Sequence, residues 1–127
     1  MTSEFFPKLL VSDADAAIDF YTKALGADVA LRVADEGVVH HAELTVGEAT
    51  LALAQSVPEW GWHDPVSLGG SPVLLTLDAA DPDAAAQRMV DLGAELVIPV
   101  ENRPYGKRQG RVKDPFGHLW VISGPLR

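Results

Sequence analysis

An imidazole and a carboxylate stand two positions apart in an apolar segment, at His41 and Glu43. Residues i and i+2 of a β-strand project from the same face, so the two groups are expected side by side. Such a pair can transfer protons, contribute two ligands to a metal ion, or anchor the polar groups of an organic ligand. The alternative without chemistry is a solvated polar face, which is common on antiparallel strands.

Two indoles flank a glycine at Trp60 and Trp62, in a segment rich in proline and glycine. Indole rings in a loop are stable only when they pack against something. They either cover the core or a dimer contact, or they form a stacking wall for a planar ligand. The residues alone leave both interpretations open.

Five of the ten basic residues fall between positions 103 and 113. This basic segment comprises Arg103, Lys107, Arg108, Arg111 and Lys113. It can hold a phosphate or a carboxylate, but the solvated charges of a hairpin are the preferred interpretation. Tyr105 lies in the same segment and adds an aromatic ring.

The composition excludes several other kinds of site. The 127 residues contain no cysteine, so disulfides and thiolate metal sites cannot form. The net charge of −8 repels phosphate backbones, which argues against nucleic acid as a partner and favours a neutral or cationic small ligand. The N-terminal sequence lacks a signal-peptide pattern and no stretch is apolar enough for a membrane span, so we expect a cytoplasmic protein with no membrane partner.

The chain contains an internal repeat with an offset of 67 residues. The residues that recur are Ala17, Leu25, Gly26 and Ala27, matched by Ala84, Leu92, Gly93 and Ala94. Each copy reads as an apolar run, an acidic turn, a helix, Gly-Ala and three further apolar runs, which predicts a βαβββ module. We therefore predict an α+β fold in which two modules form cupped mixed sheets with the helices on the outer face. The modules cover about 4–55 and about 72–127, joined by a linker at 56–71 within a single domain, 1–127.

Local signals set the bounds of these elements. Predicted strands lie at 5–11, 28–33, 38–46, 49–55, 95–100, 110–113 and 118–123, and a further strand starts at Pro72. Ser12-Asp13 is expected to cap the first helix and Gly26 to end it. Asp81 and Pro82 are expected to start the second helix. Its predicted buried stripe consists of Ala85, Met89 and Leu92.

The sequence Val46-Gly47-Glu48-Ala49 predicts a two-residue hairpin with glycine first. This register places Glu43 opposite Ala52 and His41 opposite Ala54. His41 and Glu43 then project on one face, and His40 projects toward the helix side.

The duplicated βαβββ pattern and two segments resemble the vicinal oxygen chelate superfamily. The segments are Val11-Ser-Asp-Ala-Asp-Ala-Ala-Ile-Asp-Phe-Tyr-Thr-Lys-Ala-Leu-Gly-Ala27 and Asp114-Pro-Phe-Gly-His-Leu-Trp120. This superfamily includes glyoxalase I, extradiol dioxygenases and bleomycin-resistance proteins, and one fold serves many functions in it. We assign the Asp114-Pro-Phe-Gly turn itself no chemistry.

In the metal-dependent members, the resemblance implies His or Glu ligands on the first, fourth, fifth and eighth strands, facing the cup. The corresponding positions here hold Phe6, Ala52, Pro72 and Val121. None of these side chains offers a lone pair to a divalent ion. We therefore expect no metal and no cofactor.

The same four positions define which strand residues face the cup. We expect the cup to be lined by Phe6, Lys8, Thr50, Ala52, Ala54, Pro72, Leu74, Thr76, Leu119, Val121 and Ser123. We expect the helix side to carry Phe5, Leu9, Leu51, Leu53, Val73, Leu75, Trp120 and Ile122. Small side chains in a concave apolar face leave volume for a ligand.

The resemblance is closest to the metal-free, drug-binding resistance branch, which implies a homodimer that sequesters an aromatic or polycyclic natural product without altering it. We expect no catalytic residues. The expected ligand-binding residues are Phe6, His41, Glu43, Ala52, Trp60, Trp62, Pro72, Tyr105 and Val121. The alternative is a metal-dependent glyoxalase-like lyase or dioxygenase-like enzyme with ligands drawn from His41, Glu43 and a partner chain. A regulatory subunit that uses the cup only as a dimer interface is a third hypothesis.

Overall fold

The structure, a computed structural model, describes residues 2–127. The chain divides into two compact units, Met1–Ser67 and Leu68–Arg127. The first unit contains a mixed sheet in the order β1-β4-β3-β2, and the second a sheet in the order β5-β8-β7-β6. In each sheet the first and last strands of the module are parallel and the other pairs are antiparallel. The α+β fold with two βαβββ modules is confirmed.

The observed elements match the predicted ones in number and order along each module. The strands are β1 (Lys8–Val11), β2 (Asp28–Asp35), β3 (Val38–Val46), β4 (Ala49–Gln55), β5 (Leu74–Asp78), β6 (Glu95–Asn102), β7 (Arg108–Lys113) and β8 (Leu119–Gly124). The helices are α1 (Ala14–Leu25), α2 (Pro65–Leu68) and α3 (Pro82–Asp91). No helix within residues 2–127 has both the length and the apolar character needed to cross a membrane.

Helix α1 begins and ends where its local chemistry dictates. The side chain of Asp13 accepts a hydrogen bond from the Ala16 backbone N–H at 3.1 Å, which satisfies a donor of the first turn. Gly26 ends the helix in the left-handed conformation, with φ 66°. Gln55, at the end of β4, accepts a hydrogen bond from the Ala14 N–H at 2.9 Å, so the sheet also holds the start of the helix.

Helix α3 has the predicted start but a different buried face. Asp81 caps it by accepting from the Ala84 N–H at 3.1 Å. Met89 is buried as expected and Ala86 is buried beside it, whereas Leu92 is 37% exposed. The expectation for Leu92 is wrong because the helix ends there: its backbone leaves the helical conformation at the C-cap, so its side chain leaves the helical stripe.

Two strands start later than expected, for reasons of backbone hydrogen bonding. Pro7 has no N–H and contributes only its carbonyl, which accepts from Ala52, so β1 begins at Lys8. Phe5 lies before it with 98% of its surface exposed and does not cover the helix side. Pro72 also precedes its strand, because Val73 bonds through both backbone groups to the Ser71 hydroxyl and ladder pairing starts at Leu74. Val73 is exposed as well, contrary to its expected helix-side position.

The predicted linker 56–71 carries local structure. Val57 and Trp62 form an isolated bridge around a 3₁₀ turn at Pro58–Trp60, and α2 follows. Asp64 is buried and accepts hydrogen bonds from the Ser67 N–H and hydroxyl. Burial acts to raise the pKa of Asp64, but the hydrogen bonds from Ser67 and Ser56 outweigh it and hold that pKa below its ordinary value.

The hairpin between β3 and β4 has the predicted register. Glu43 pairs with Ala52, and Leu44 with Leu51. Gly47, the first residue of the turn, has φ 59°, which this turn requires and which glycine adopts without strain.

Gly110 in β7 provides a test of the packing in the second sheet. A Cβ atom at this position would lie 2.6 Å from Val100 Cγ2 and 2.8 Å from the Ile98 carbonyl oxygen. We expect Gly110→Ala to lower the free energy of unfolding by about 1–3 kcal/mol, because β6 and β7 must separate. The measurement is thermal or urea unfolding followed by circular dichroism.

Gly70→Ala is the matched control, because a Cβ atom there meets nothing within 4 Å. It should unfold like the wild-type protein. Equal destabilisation by both substitutions would contradict the packing argument.

Candidate functional site

In each unit the long helix packs on one face of the sheet, and we call the opposite face the open face. The open face of the first sheet includes Lys8, Leu31, His41, Glu43 and Ala52. That of the second sheet includes Thr76, Ile98, Gln109, Arg111 and Val121. Strand alternation and the pairing registers assign these residues.

His41 and Glu43 form a hydrogen-bonded pair on the open face of the first sheet. His41 Nε2 lies 2.7 Å from Glu43 Oε2, and both side chains are about one-third exposed. They alternate with Ala42 and Leu44, which are fully buried on the helix side. The prediction that the two groups share a face is confirmed. Each already has one hydrogen bond within the protein, so the pair presents a fixed polar group to a ligand.

A bulge at His40 changes the strand just before this pair. Val33 pairs with His41 and Ala34 with Val39, so His40 is an extra residue in β3. The β3–β4 register runs from Val46↔Ala49 to Ala42↔Leu53, and the expected pairing of His41 with Ala54 is not part of it. The simple alternation that assigned His40 to the helix side therefore does not apply at this bulge.

The two predicted indoles lie together, with His40 and Lys8 at either end. The Trp60 and Trp62 ring centroids are 5.2 Å apart in an edge-to-face arrangement. The His40 ring lies 5.5 Å from Trp60, and Lys8 Nζ lies 4.9 Å from the Trp62 centroid, a cation–π distance. Trp62 is half-buried, whereas Trp60 is 58% exposed. Trp62 is therefore largely engaged within the protein, and Trp60 retains ring surface.

A hollow of about 230 Å³ lies on the open face of the second sheet. Strands β6 and β7 and the turn between them supply its walls. The lining residues are Ile98, Arg103, Tyr105, Gln109, Gly110 and Arg111. Tyr105 is 67% exposed, so its ring stands at the edge of the hollow.

Hydrogen bonds fix the polar groups of this hollow. The Tyr105 hydroxyl donates to Gln109 Oε1 at 2.7 Å, and Gln109 Nε2 donates to the Ser123 hydroxyl at 3.0 Å. Arg103 donates to the carbonyls of Gln109 and Pro99, at 3.0 and 2.6 Å, and so connects the ends of β6 and β7. Arg103, Tyr105 and Gln109 are therefore held in place before a ligand arrives.

Two arginines of the basic segment have structural roles, whereas Lys107, Arg111 and Lys113 are exposed, as expected of solvated hairpin charges. Arg108 makes a two-pronged ion pair with Asp83 of α3, at 2.7 and 2.8 Å, with only 17% of its side chain exposed. Arg103 connects two strands through backbone carbonyls. Arg111 points to the open face, with Val121 and Ile98 as its cross-strand neighbours.

Asp114 organises the turn that leads into β8. Its buried carboxylate accepts from the backbone N–H groups of Phe116 and His118, at 2.9 and 3.0 Å. The indole N–H of Trp120 donates to the same carboxylate at 2.9 Å. The sequence predicted the turn but not the bond to Trp120. This bond positions the strand that carries Val121 to the open face.

The four positions at which the resemblance implies metal ligands lie in or just before strands β1, β4, β5 and β8. Phe6 is half-buried before β1, Ala52 is buried in β4, Pro72 is exposed before β5, and Val121 is buried in β8. None of these side chains has a donor atom. Within residues 2–127 there is also no group of three or more His, Asp or Glu side chains that could hold a metal ion. The residues present do not fit the superfamily's metal site.

The predicted ligand-binding residues fall into two groups, one in each unit. In the first unit His41 and Glu43 lie beside Ala52, and Trp60 and Trp62 lie beside Lys8. In the second unit Tyr105 lies at the hollow. Five residues of the hollow were not among the expected ligand-binding residues, although two of them belong to the basic segment; the five are Ile98, Arg103, Gln109, Gly110 and Arg111. Extending the register from Val121 to the adjacent β7 would have found Arg111, since the two residues face each other.

Comparison with known proteins identifies the family of this chain. The sequence profile of the Glyoxalase/Bleomycin resistance protein/Dioxygenase superfamily matches residues 6–122. The chain belongs to this superfamily. Since its description covers both enzymes and resistance proteins, membership alone does not decide between catalysis and binding.

Several proteins are similar to this superfamily member over nearly its full length. An uncharacterized protein of Mycobacterium bovis is 42% identical over 125 residues, which cover 95% of this chain and 82% of that one. The structure of TioX from Micromonospora sp. ML1 is similar with a TM-score of 0.75 and 28% identity, covering 98% of this chain and all of that one. The structure of an Arabidopsis thaliana gene product is similar with a TM-score of 0.76 and 27% identity, covering 98% and 99%.

The ion pair between Asp83 and Arg108 predicts a pH dependence of stability. The hydrogen bonds from Arg108 hold the pKa of Asp83 below its ordinary value. A lowered folded-state pKa gives stabilisation that is present at neutral pH and lost as the pH falls through that pKa. We expect Asp83→Asn to melt at a lower temperature than wild type at pH 7, and the difference to narrow below about pH 4. Melting curves across this pH range measure it.

Asp78→Asn serves as the control, because Asp78 is an exposed carboxylate of β5 in the same unit. Its melting temperature should stay close to that of wild type throughout. A deficit in Asp83→Asn that remained constant below pH 4 would contradict the assigned ion pair.

Proposed function

We propose that this protein binds and sequesters a small aromatic or polycyclic organic molecule without changing it chemically. The observation that carries the proposal is the hollow on the open face of the second sheet, with an aromatic ring at its edge and hydrogen-bonded polar groups in its walls. Ligand sites typically combine aromatic or apolar surface with a few fixed polar groups, and here Tyr105 and Ile98 lie beside Gln109 and Arg103. At about 230 Å³ the hollow is smaller than most drug-sized sites, so it receives a small ligand or one end of a larger one.

Two exposed aromatic side chains support the ligand class. Tyr105 and Trp60 are 67% and 58% exposed in the two units. Large aromatic rings left in water are favourable places for a planar partner to stack. Covering about 100 Å² of such a surface contributes about 2.5 kcal/mol before ordering terms are subtracted.

The pair of His41 and Glu43 supplies orientation in the first unit. Its 2.7 Å contact fixes both groups, and each retains a further polar atom for a ligand. Phe6, Ala52 and Trp62, with Pro72 and Val121 in the second unit, complete the proposed binding residues.

The proposed function differs from that of the superfamily's metal-dependent enzymes because it requires no metal ion. Phe6, Ala52, Pro72 and Val121 have no donor atoms, so we assign no step to a metal ion or cofactor. Because the superfamily's description includes bleomycin resistance proteins, we propose self-protection against an antibiotic as the role. We propose a cytoplasmic homodimer as the functional form.

A thermal-shift screen of polycyclic and glycopeptide antibiotics, with and without divalent metals, tests the proposal. A compound present at 100 times its dissociation constant should stabilise the protein by about 2.7 kcal/mol. Recovery of the intact compound after incubation tests the absence of chemistry. A hit that is consumed, or that stabilises only when a metal is added, would contradict sequestration.

Truncation of the exposed rings should weaken a confirmed hit. For a hit that binds in the hollow we expect Tyr105→Ala, and for a hit that binds in the first unit Trp60→Ala, to raise the dissociation constant by about tenfold, because each removes a stacking surface. Isothermal titration calorimetry measures the change. Phe5→Ala is the control, since it removes an aromatic ring that is 98% exposed outside both groups of residues. Unchanged affinity in both ring variants would show that neither the Tyr105 ring nor the Trp60 ring contacts the ligand.

The metal content of the purified protein distinguishes binding from the enzyme alternative. Protein purified without chelators is expected to contain far less than one equivalent of any transition metal by elemental analysis. A stoichiometric metal that is lost in a His41→Ala, Glu43→Ala double variant would instead support the metal-dependent enzyme.

A further inference from the structure

We infer that the hollow on the open face of the second sheet recognises an oxyanion through Arg111, so that its ligand is an aromatic acid. This inference rests on the proposed function, because it specifies the chemical class of the ligand in the same hollow. It reverses the preference for neutral or cationic ligands that the net charge of −8 suggests.

Arg111 brings a permanent positive charge to the wall of the hollow, between two apolar cross-strand neighbours. A guanidinium stays protonated at every physiological pH. The cross-strand neighbours of Arg111 are Val121 on β8 and Ile98 on β6, and neither can neutralise it. Among the residues that the structure describes, those lining the hollow include no aspartate or glutamate.

Two other arginines of the chain are paired with carboxylates, whereas Arg111 is not paired with any carboxylate that the structure describes. Arg32 makes a two-pronged contact with Asp15, with both distances at 3.0 Å. Arg108 makes the same kind of contact with Asp83. Arg111, on the same strand as Arg108, has no carboxylate partner within residues 2–127 and is exposed. Its N–H donors are therefore free to bind a carboxylate or another planar oxyanion, whose two oxygens match the geometry of the guanidinium.

The neighbouring polar groups also favour an acceptor as ligand. Gln109 donates one amide hydrogen to the Ser123 hydroxyl, and its carbonyl oxygen already accepts from Tyr105. Its second amide hydrogen therefore remains available next to the Arg111 guanidinium. The hollow thus offers several donors, and the Tyr105 ring supplies the surface for an aromatic group.

The acidity of the whole chain does not cancel this local charge. Arg111 and Lys113 stand two positions apart on β7 and project from the same face, opposite Val121 and Leu119. Exposed charges farther away than about 8 Å are largely screened at physiological ionic strength. An anion inside the hollow therefore responds chiefly to the two arginines that line it. Arg103 is already bonded to two backbone carbonyls and lies 3.7 Å from Glu101, whereas the donors of Arg111 have no carboxylate partner among the described residues.

Two probes that differ only in charge test the inference. These are 2-naphthoate and its neutral amide, 2-naphthamide, titrated into wild-type protein and followed by ligand NMR or calorimetry. We expect the wild type to bind naphthoate about tenfold or more tightly than naphthamide, because a hydrogen bond to a charged group adds about one to two powers of ten. Arg111→Gln should bind naphthoate more weakly but bind naphthamide like the wild type, so that the preference disappears. Arg111→Lys should retain part of the preference for naphthoate.

The control is Arg88→Gln, which removes another exposed arginine of the same unit, on α3. It should bind both probes like the wild type. Equal affinity of the wild type for the two probes, or equal loss of naphthoate binding in Arg88→Gln and Arg111→Gln, overturns the inference while leaving the proposed aromatic binding intact. Absence of binding by both probes contradicts the proposed function and this inference together.

Discussion

Strand alternation is the constraint on which both candidate surfaces depend. Successive side chains of a strand project to opposite faces, and each four-stranded sheet has one long helix to cover one of those faces. Leu44 and Ile122 are fully buried on the helix side, which stabilises the unit. The strand residues that alternate with such buried residues can then carry polar, aromatic or charged groups without loss of the core. Both the His41–Glu43 pair and the hollow occupy positions that this constraint leaves open.

The same constraint separates two arginines of β7 that look equivalent in the sequence. Arg108 and Arg111 are three residues apart, an odd separation, so they project to opposite faces. Arg108 reaches α3 and its charge is neutralised by Asp83, which joins helix to sheet. Arg111 reaches the open face and keeps its charge. One short basic segment therefore supplies both a structural ion pair and a group for recognition.

Features set by neighbouring residues could be predicted from the sequence. Asp13, Gly26 and Asp81 act within one helical turn of their own position, and the β3–β4 hairpin depends on two turn residues. The bulge at His40 could not be predicted, because it arises from pairing with β2. The partner of Arg108 lies 25 residues away in sequence, and the hollow combines β6, β7 and their turn. Such features depend on contacts between residues far apart in sequence, which local sequence patterns do not predict.

Gly110 has a consequence for how this superfamily member can diversify. Gly110 alternates with Gln109 and Arg111, so a side chain there would point to the helix side, beside Val100, and Gly110 meets the hollow only with its main chain. Main-chain amide and carbonyl groups are the same whatever amino acid the gene encodes. Changes in ligand preference over evolution must therefore come from the surrounding walls, at Ile98, Tyr105 and Arg111, while the main chain at Gly110 stays constant.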